Sequence, residues 1–154
     1  QDSASVSIAS FSLAKEYKLL NFHFRSAIIY QITSDELLFP LPNVTGRQIL
    51  YYQKKIFKKA MQFQIGLGFS YSTAYYGYTY MPAINEFTKQ GGRSELGLYP
   101  RVDLFINTQL KRAQIFLKFE HFNAGRSLQK SYITPGYAPM GKSLKFGVSW
   151  NMFD

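Results

Sequence analysis

Six charged side chains, Arg25, Arg101, Asp103, Lys118, Glu120 and Lys145, fall on the polar side of segments where apolar and polar residues alternate. Arg101 and Asp103 stand two residues apart and so share one face of a strand, as do Lys118 and Glu120 in the next segment. Opposite charges placed this way can pair across strands and stiffen a wall. They can also act as an electrostatic filter for a passing solute. Four cations against two anions lean such a filter toward anions. Catalysis has less to work with. His23 and His121 are isolated, and adjacent strand positions such as Glu120 and His121 point to opposite faces. Glu86 and Glu95 read as solvated loop charge. The stretch QGGRSELG at 90–97 lacks both P-loop spacing and a following helix. No catalytic constellation, metal site or cofactor motif emerges, so the expectation is a protein that is not an enzyme.

The elements that carry these charges are strands. In AMQFQIGLGFSYS (60–72), Met61, Phe63, Ile65, Leu67, Phe69 and Tyr71 alternate with Gln, Gly and Ser. The same period of two runs through 19–31, 101–110, 114–120 and LKFGVSWNMFD (144–154), and helical periodicity is almost absent. Alternation predicts seven strands near 4–14, 18–32, 47–57, 60–79, 99–111, 113–124 and 143–153. A phase shift between Ile8 and Phe11 suggests a bulge. In 47–57 both faces are mixed. The connections between strands alternate short and long: 15–17, 33–46, 58–59, 80–97, 111–112 and 125–142. All six prolines fall in long connections or at a strand's first residue.

This alternation of loop lengths is the signature of an outer-membrane barrel, with short turns on one side and long loops on the other. The expected fold is therefore all-β, an antiparallel up-and-down transmembrane β-barrel occupying residues 1–154 as one domain. The apolar face would meet lipid, and the Gly-, Ser- and Gln-rich face a lumen. A soluble barrel of the lipocalin type is the alternative, but it needs a more highly charged outer face. Aromatics gather at strand ends, where barrels carry girdles: Tyr30, Tyr71, Tyr75 and Tyr99 at one height, Trp150 and Phe153 at the other. Strand preference alone also enriches aromatics.

The 154-residue chain carries +9 formal charge, no cysteine, and an aromatic share of 18%. The absence of cysteine excludes disulfides and thiolate metal sites. No apolar run reaches the ~20 residues of a membrane helix. Lys15, Lys18, Lys54, Lys55, Lys58, Lys59, Lys111 and Arg112 gather near the short turns. They suit a rim beside phospholipid headgroups. A nucleic-acid surface is not expected, because no stripe of stacking aromatics accompanies them.

The C-terminal part, YPRVDLFINTQLKRAQIFLKFEHFNAG (99–125) with YITPGYAPMGKSLKFGVSWNMFD (132–154), resembles the putative porins of Bacteroidota. The stretch FPLPNVTGRQILYYQKKIFKKAMQFQIGLGFSY (39–71) fits the same family. The resemblance implies that the chain is the last part of a larger barrel. Seven strands point the same way, since single-chain bacterial barrels usually have an even number. It further implies that strand 144–154 is read by the barrel-assembly machinery, although Phe153 is out of phase with Val148, Trp150 and Met152. Two functions follow as expectations. One is a porin that passes small hydrophilic solutes by diffusion, lined by the six charges above. The other is a non-conducting barrel serving as scaffold or partner in a larger outer-membrane complex.

Overall fold

In the computed structural model, residues 5–36, 38–88, 95–125, 132, 134–137 and 141–152 are described. Seven long strands follow one another as an antiparallel meander: β1 (Ile8–Leu19), β2 (Phe22–Thr33), β3 (Val44–Ile56), β4 (Met61–Ser72), β7 (Arg101–Leu110), β8 (Ala113–Glu120) and β9 (Ser143–Trp150). A separate two-stranded ribbon, β5 (Thr79–Met81) with β6 (Glu86–Thr88), rises from the connection between β4 and β7. The sheet is open. Among the described residues, β1 and β9 each have one partner and one free edge.

Pairing is one residue to one throughout, so the two faces separate cleanly. One cross-strand row reads Tyr17, Phe24, Leu50, Leu67, Leu104, Phe119 and Leu144, apolar from β1 to β9. The next row, on the other face, reads Glu16, Arg25, Ile49, Gly68 and Asp103. Directly opposed side chains on one face are close enough to interact, so each row is a continuous stripe. The apolar face leaves its large side chains open, up to 80% for Phe146. The large buried strand side chains His23, Tyr51 and Asp103 lie on the polar face.

The ladders are also staggered. Phe22, the first residue of β2, pairs with Tyr52, and β3 continues four residues past it to Ile56 before turning. Stagger of this kind accompanies strand tilt.

The short connections lie together at one end: Leu20–Asn21, Phe57–Ala60 and Lys111–Arg112. The long ones, 34–43, 73–100 and 121–142, lie at the other. Seven long strands and sorted loops agree with the sequence reading, but several boundaries do not. Residues 15–17 are not a turn. β1 runs through them to Leu19, because Glu16 pairs with Arg25 and Tyr17 with Phe24. The reversal falls at Leu20, which adopts φ 54 and is 83% exposed. β1 begins at Ile8 and pairs regularly from there, with no bulge between Ile8 and Phe11. β4 ends at Ser72, short of 79. The backbone then leaves the ladder, with Leu98 N–H donating to the Ser72 carbonyl and Thr73 N–H to that of Val44. β8 ends at Glu120, and 121–125 forms a turn.

Candidate functional site

The six charges expected to line a lumen occupy one face, in two groups. The larger group is a chain of ion pairs on β7, β8 and β9. Arg101 Nε lies 3.8 Å from Asp103 Oδ1, and Lys118 Nζ lies 3.2 Å from Asp103 Oδ2. Lys118 also reaches Glu120 at 2.8 Å, and Lys145 reaches the second oxygen of Glu120 at 2.6 Å. The arrangement follows from register: Lys118 and Lys145 are directly opposed, so the carboxylates must sit beside them to offset like charge. Asp103 is fixed from above as well, since the His121 N–H donates to its Oδ1 at 2.9 Å.

Arg25 stands apart, in a group the sequence did not announce. Glu16 accepts from Arg25 Nε at 2.9 Å and from the Tyr51 hydroxyl at 3.1 Å, and its Oε1 lies 3.1 Å from His23 Nδ1. His23 stacks on Tyr51 with ring centroids 4.7 Å apart and planes 10° apart. The Arg25 guanidinium carbon lies 5.5 Å from the centroid of the Tyr51 ring. The sequence places Glu16 in the short connection 15–17, and Tyr51 in the segment 47–57 whose faces are mixed. With β1 extended, both fall on the polar face. The signal that could have found them was Glu16 and Arg25 flanking a hairpin at equal distance from its turn.

Aromatics on this face lie over glycines. A Cβ on Gly66 would stand 2.7 Å from Phe105 Cζ, and one on Gly147 2.5 Å from Phe116 Cε1. Phe116, the exception to alternation in 114–120, fills the space its partner Gly147 leaves. Two concavities open here. One of about 480 Å³ is lined by Glu16, Arg25, Ala27, Arg47 and Ile49 among others. Another of about 360 Å³ lies by the first short turn, beside Lys18, His23, Gln53 and Lys55.

The expected aromatic girdle is only partly gathered on the apolar face. Tyr30 in β2, Tyr71 in β4 and Trp150 in β9 lie there. Tyr75 sits beyond β4 in an isolated bridge to Leu96, where burial pushes its phenol pKa up. Tyr99 turns to the loop, donating to the Asn123 carbonyl at 3.0 Å and lying 3.1 Å from His121 Nε2. Phe153 lies outside the described residues, so strand 144–154 is seen through Met152, with β9 pairing from Ser143 to Trp150. At the long-loop end the connections touch one another. The Tyr78 hydroxyl donates to the Leu38 carbonyl, and the Tyr80 and Tyr137 ring centroids are 5.8 Å apart.

An antiparallel meander with one charged and one open apolar face, and with its loops sorted by length, belongs to the class of sheets suited to lie between water and lipid. The model of the family described as "Putative porin" matches residues 1–154. The chain belongs to this family, and membership points to a porin-like role and a membrane location. No curated protein and no solved structure matches the chain.

Proposed function

We propose that this chain forms a wall of an outer-membrane β-barrel through which small hydrophilic solutes diffuse passively, with the polar face as pore lining. The observation that carries this reading is the register. It collects Glu16, Arg25, Arg47, Arg101, Asp103, Lys118, Glu120 and Lys145 on one face and leaves an apolar row on the other across all seven strands. Lipid accepts the apolar face, and water the charges. A soluble barrel would turn the apolar face inward. Here the apolar face leaves its large side chains open, while buried His23, Tyr51 and Asp103 lie on the charged side.

Backbone groups at a sheet edge cannot face hydrocarbon unpaired. The free edges of β1 and β9 are therefore taken up by further strands, which makes this sheet a sector of a larger barrel. About eight strands only just leave room for side chains inside, so a solute pathway needs more than these seven. Outer-membrane lipid contacts the apolar face, and residues 144–154 present the strand that barrel-assembly machinery reads. No group on the polar face is asked to do covalent chemistry, so the protein acts as a conduit and not as an enzyme.

Conductance across a planar bilayer tests this. Detergent-extracted protein is expected to give discrete channels. Lys118→Glu and Arg101→Glu are expected to move the reversal potential in a salt gradient toward cation selectivity. Protein that inserts but never conducts, and that co-purifies with another outer-membrane protein, would replace the porin with a non-conducting partner subunit. Protein recovered without detergent would defeat both readings.

A further inference from the structure

We propose that Arg47 and Arg25 form a binding station for small oxyanions on the polar wall; this rests on the pore reading above. Arg47 is exposed on β3, and among the described residues no hydrogen bond or ion pair holds its side chain. Among the described residues, the other arginines on this face are engaged: Arg25 by Glu16, and Arg101 by Asp103. Arg47 pairs across the ladders with Ala27 on one side and Ser70 on the other. Arg25 lies two rows along on the same face, opposite Ile49. The two guanidinium groups thus stand on neighbouring strands, at diagonal positions roughly 7–8 Å apart at the backbone. Long cationic side chains at that spacing can converge on one anion.

The setting favours an oxyanion over chloride. Both cations border the 480 Å³ concavity, whose wall includes the small residue Ala27. Across Ser70 and Gly68 the floor stays low toward Arg101 and Asp103. Arg25 bonds Glu16 through its Nε and lies 5.5 Å from the centroid of the Tyr51 ring, and among the described residues no hydrogen bond takes up its terminal nitrogens. A guanidinium presents a planar fork of N–H donors that matches phosphate or carboxylate oxygens in pairs. Glu16 is the one anion among the described residues that line the concavity, and Arg25, His23 and Tyr51 already occupy its oxygens. Among the described cations that line the concavity, Arg25 is paired with Glu16 and Lys15 lies over the Tyr17 ring, so the charge with no partner is that of Arg47.

The test uses inorganic phosphate as probe against chloride current in planar bilayers. Phosphate is expected to depress the wild-type chloride current. Arg47→Gln is expected to raise the half-inhibitory concentration about tenfold, as befits loss of a charge-assisted bond. Arg47→Lys keeps the charge but loses the fork. It is expected to hold the reversal potential while losing most of the phosphate effect. Lys59→Gln, in a short turn, removes one positive charge elsewhere and is expected to change nothing. Equal inhibition of wild type and Arg47→Gln overturns the station while leaving the pore intact, and so does an equal loss in Lys59→Gln. If the wild type gives no channels, equilibrium dialysis of labelled phosphate against the detergent-solubilised protein decides separately. Binding that Arg47→Gln abolishes sustains the station without the pore, and absence of binding overturns it.

Discussion

Gly66 and Gly68 lie two residues apart on β4, on the same face, and the structure predicts opposite outcomes when each becomes alanine. A Cβ on Gly66 would stand 2.6 Å from the Leu50 carbonyl oxygen, 2.6 Å from Tyr51 Cβ and 2.7 Å from Phe105 Cζ. The Phe105 ring can swing aside. The Leu50 carbonyl cannot, because it belongs to the paired backbone of β3, and Tyr51 is tied to Glu16 and stacked on His23. Relief requires β3 and β4 to part locally, an overpacking cost of about 1–3 kcal/mol. At Gly68 the nearest atom is Asp103 Cβ at 3.9 Å, an ordinary contact. There alanine costs nothing sterically and restores about 0.5–1 kcal/mol that glycine forfeits in a strand. The same restoration applies at Gly66 and only trims its loss. Gly66→Ala should therefore be less stable than wild type, Gly68→Ala equal or more stable, and the gap between them about 1–3 kcal/mol. Urea unfolding of vesicle-inserted protein, followed by Trp150 fluorescence and by the gel shift between folded and unfolded forms, measures the gap. Equal stability of the two variants would refute the packing argument.

Other predictions bear on the two faces and on the loop clamp. Leu67→Arg places a charge in the apolar row, at a cost of about 2–4 kcal/mol if that row lies near mid-bilayer. Gln64→Arg, on the polar face of the same strand, should fold into vesicles with wild-type yield, and equal yields for both variants would mean that the faces are assigned wrongly. Asn123 accepts from Val102 N–H at 3.0 Å and donates to the Pro100 carbonyl at 2.6 Å, which ties the start of β7 to the turn after β8. Asn123→Ala should loosen this corner by about 1–3 kcal/mol. Hydrogen exchange at Val102 should then accelerate while exchange in β1 stays constant.

Strand number, strand face and loop sorting were legible in the sequence because a half-buried strand writes its face at every second residue. Boundaries were not, for reasons that particular residues make plain. The run Lys15, Glu16, Tyr17, Lys18 carries the polarity of a turn, yet it pairs residue by residue inside a strand. Glu16 pairs with Arg25, and the Lys15 ammonium lies 5.0 Å from the Tyr17 ring centroid. The true turn begins with Leu20, an apolar residue in a left-handed conformation, which no composition rule marks. Past Ser72 the tyrosines of 73–80 keep a strand-like composition while the backbone has left the ladder. Of the candidate site, the ion-pair chain Arg101–Asp103–Lys118–Glu120–Lys145 followed from residues two apart on neighbouring strands. The Glu16 group did not, because it needs the β1–β2 and β2–β3 registers together, and Arg47 stood unremarked inside a segment whose faces looked mixed.

The ion pairs themselves constrain how such a sheet can close. The Glu16 and Arg25 side chains are 40% and 56% exposed, and those of Lys145 and Glu120 are 50% and 26% exposed. Pairs this wet contribute little to stability. They are tolerable only while water reaches them, since dehydrating an ion costs several kcal/mol. A barrel narrowed until β1 met β9 would press the Glu16 group against the Glu120 group and strip that water. It would also crowd Tyr51, Phe105 and Phe116, which already overlie or flank the glycines. An apolar core would gain from such contraction, whereas this face loses. The same charges that suit a solute pathway thus oppose the tightest closure. On the proposed pore reading, they suit a sheet whose β1 and β9 edges pair with further strands around a wider, water-filled interior.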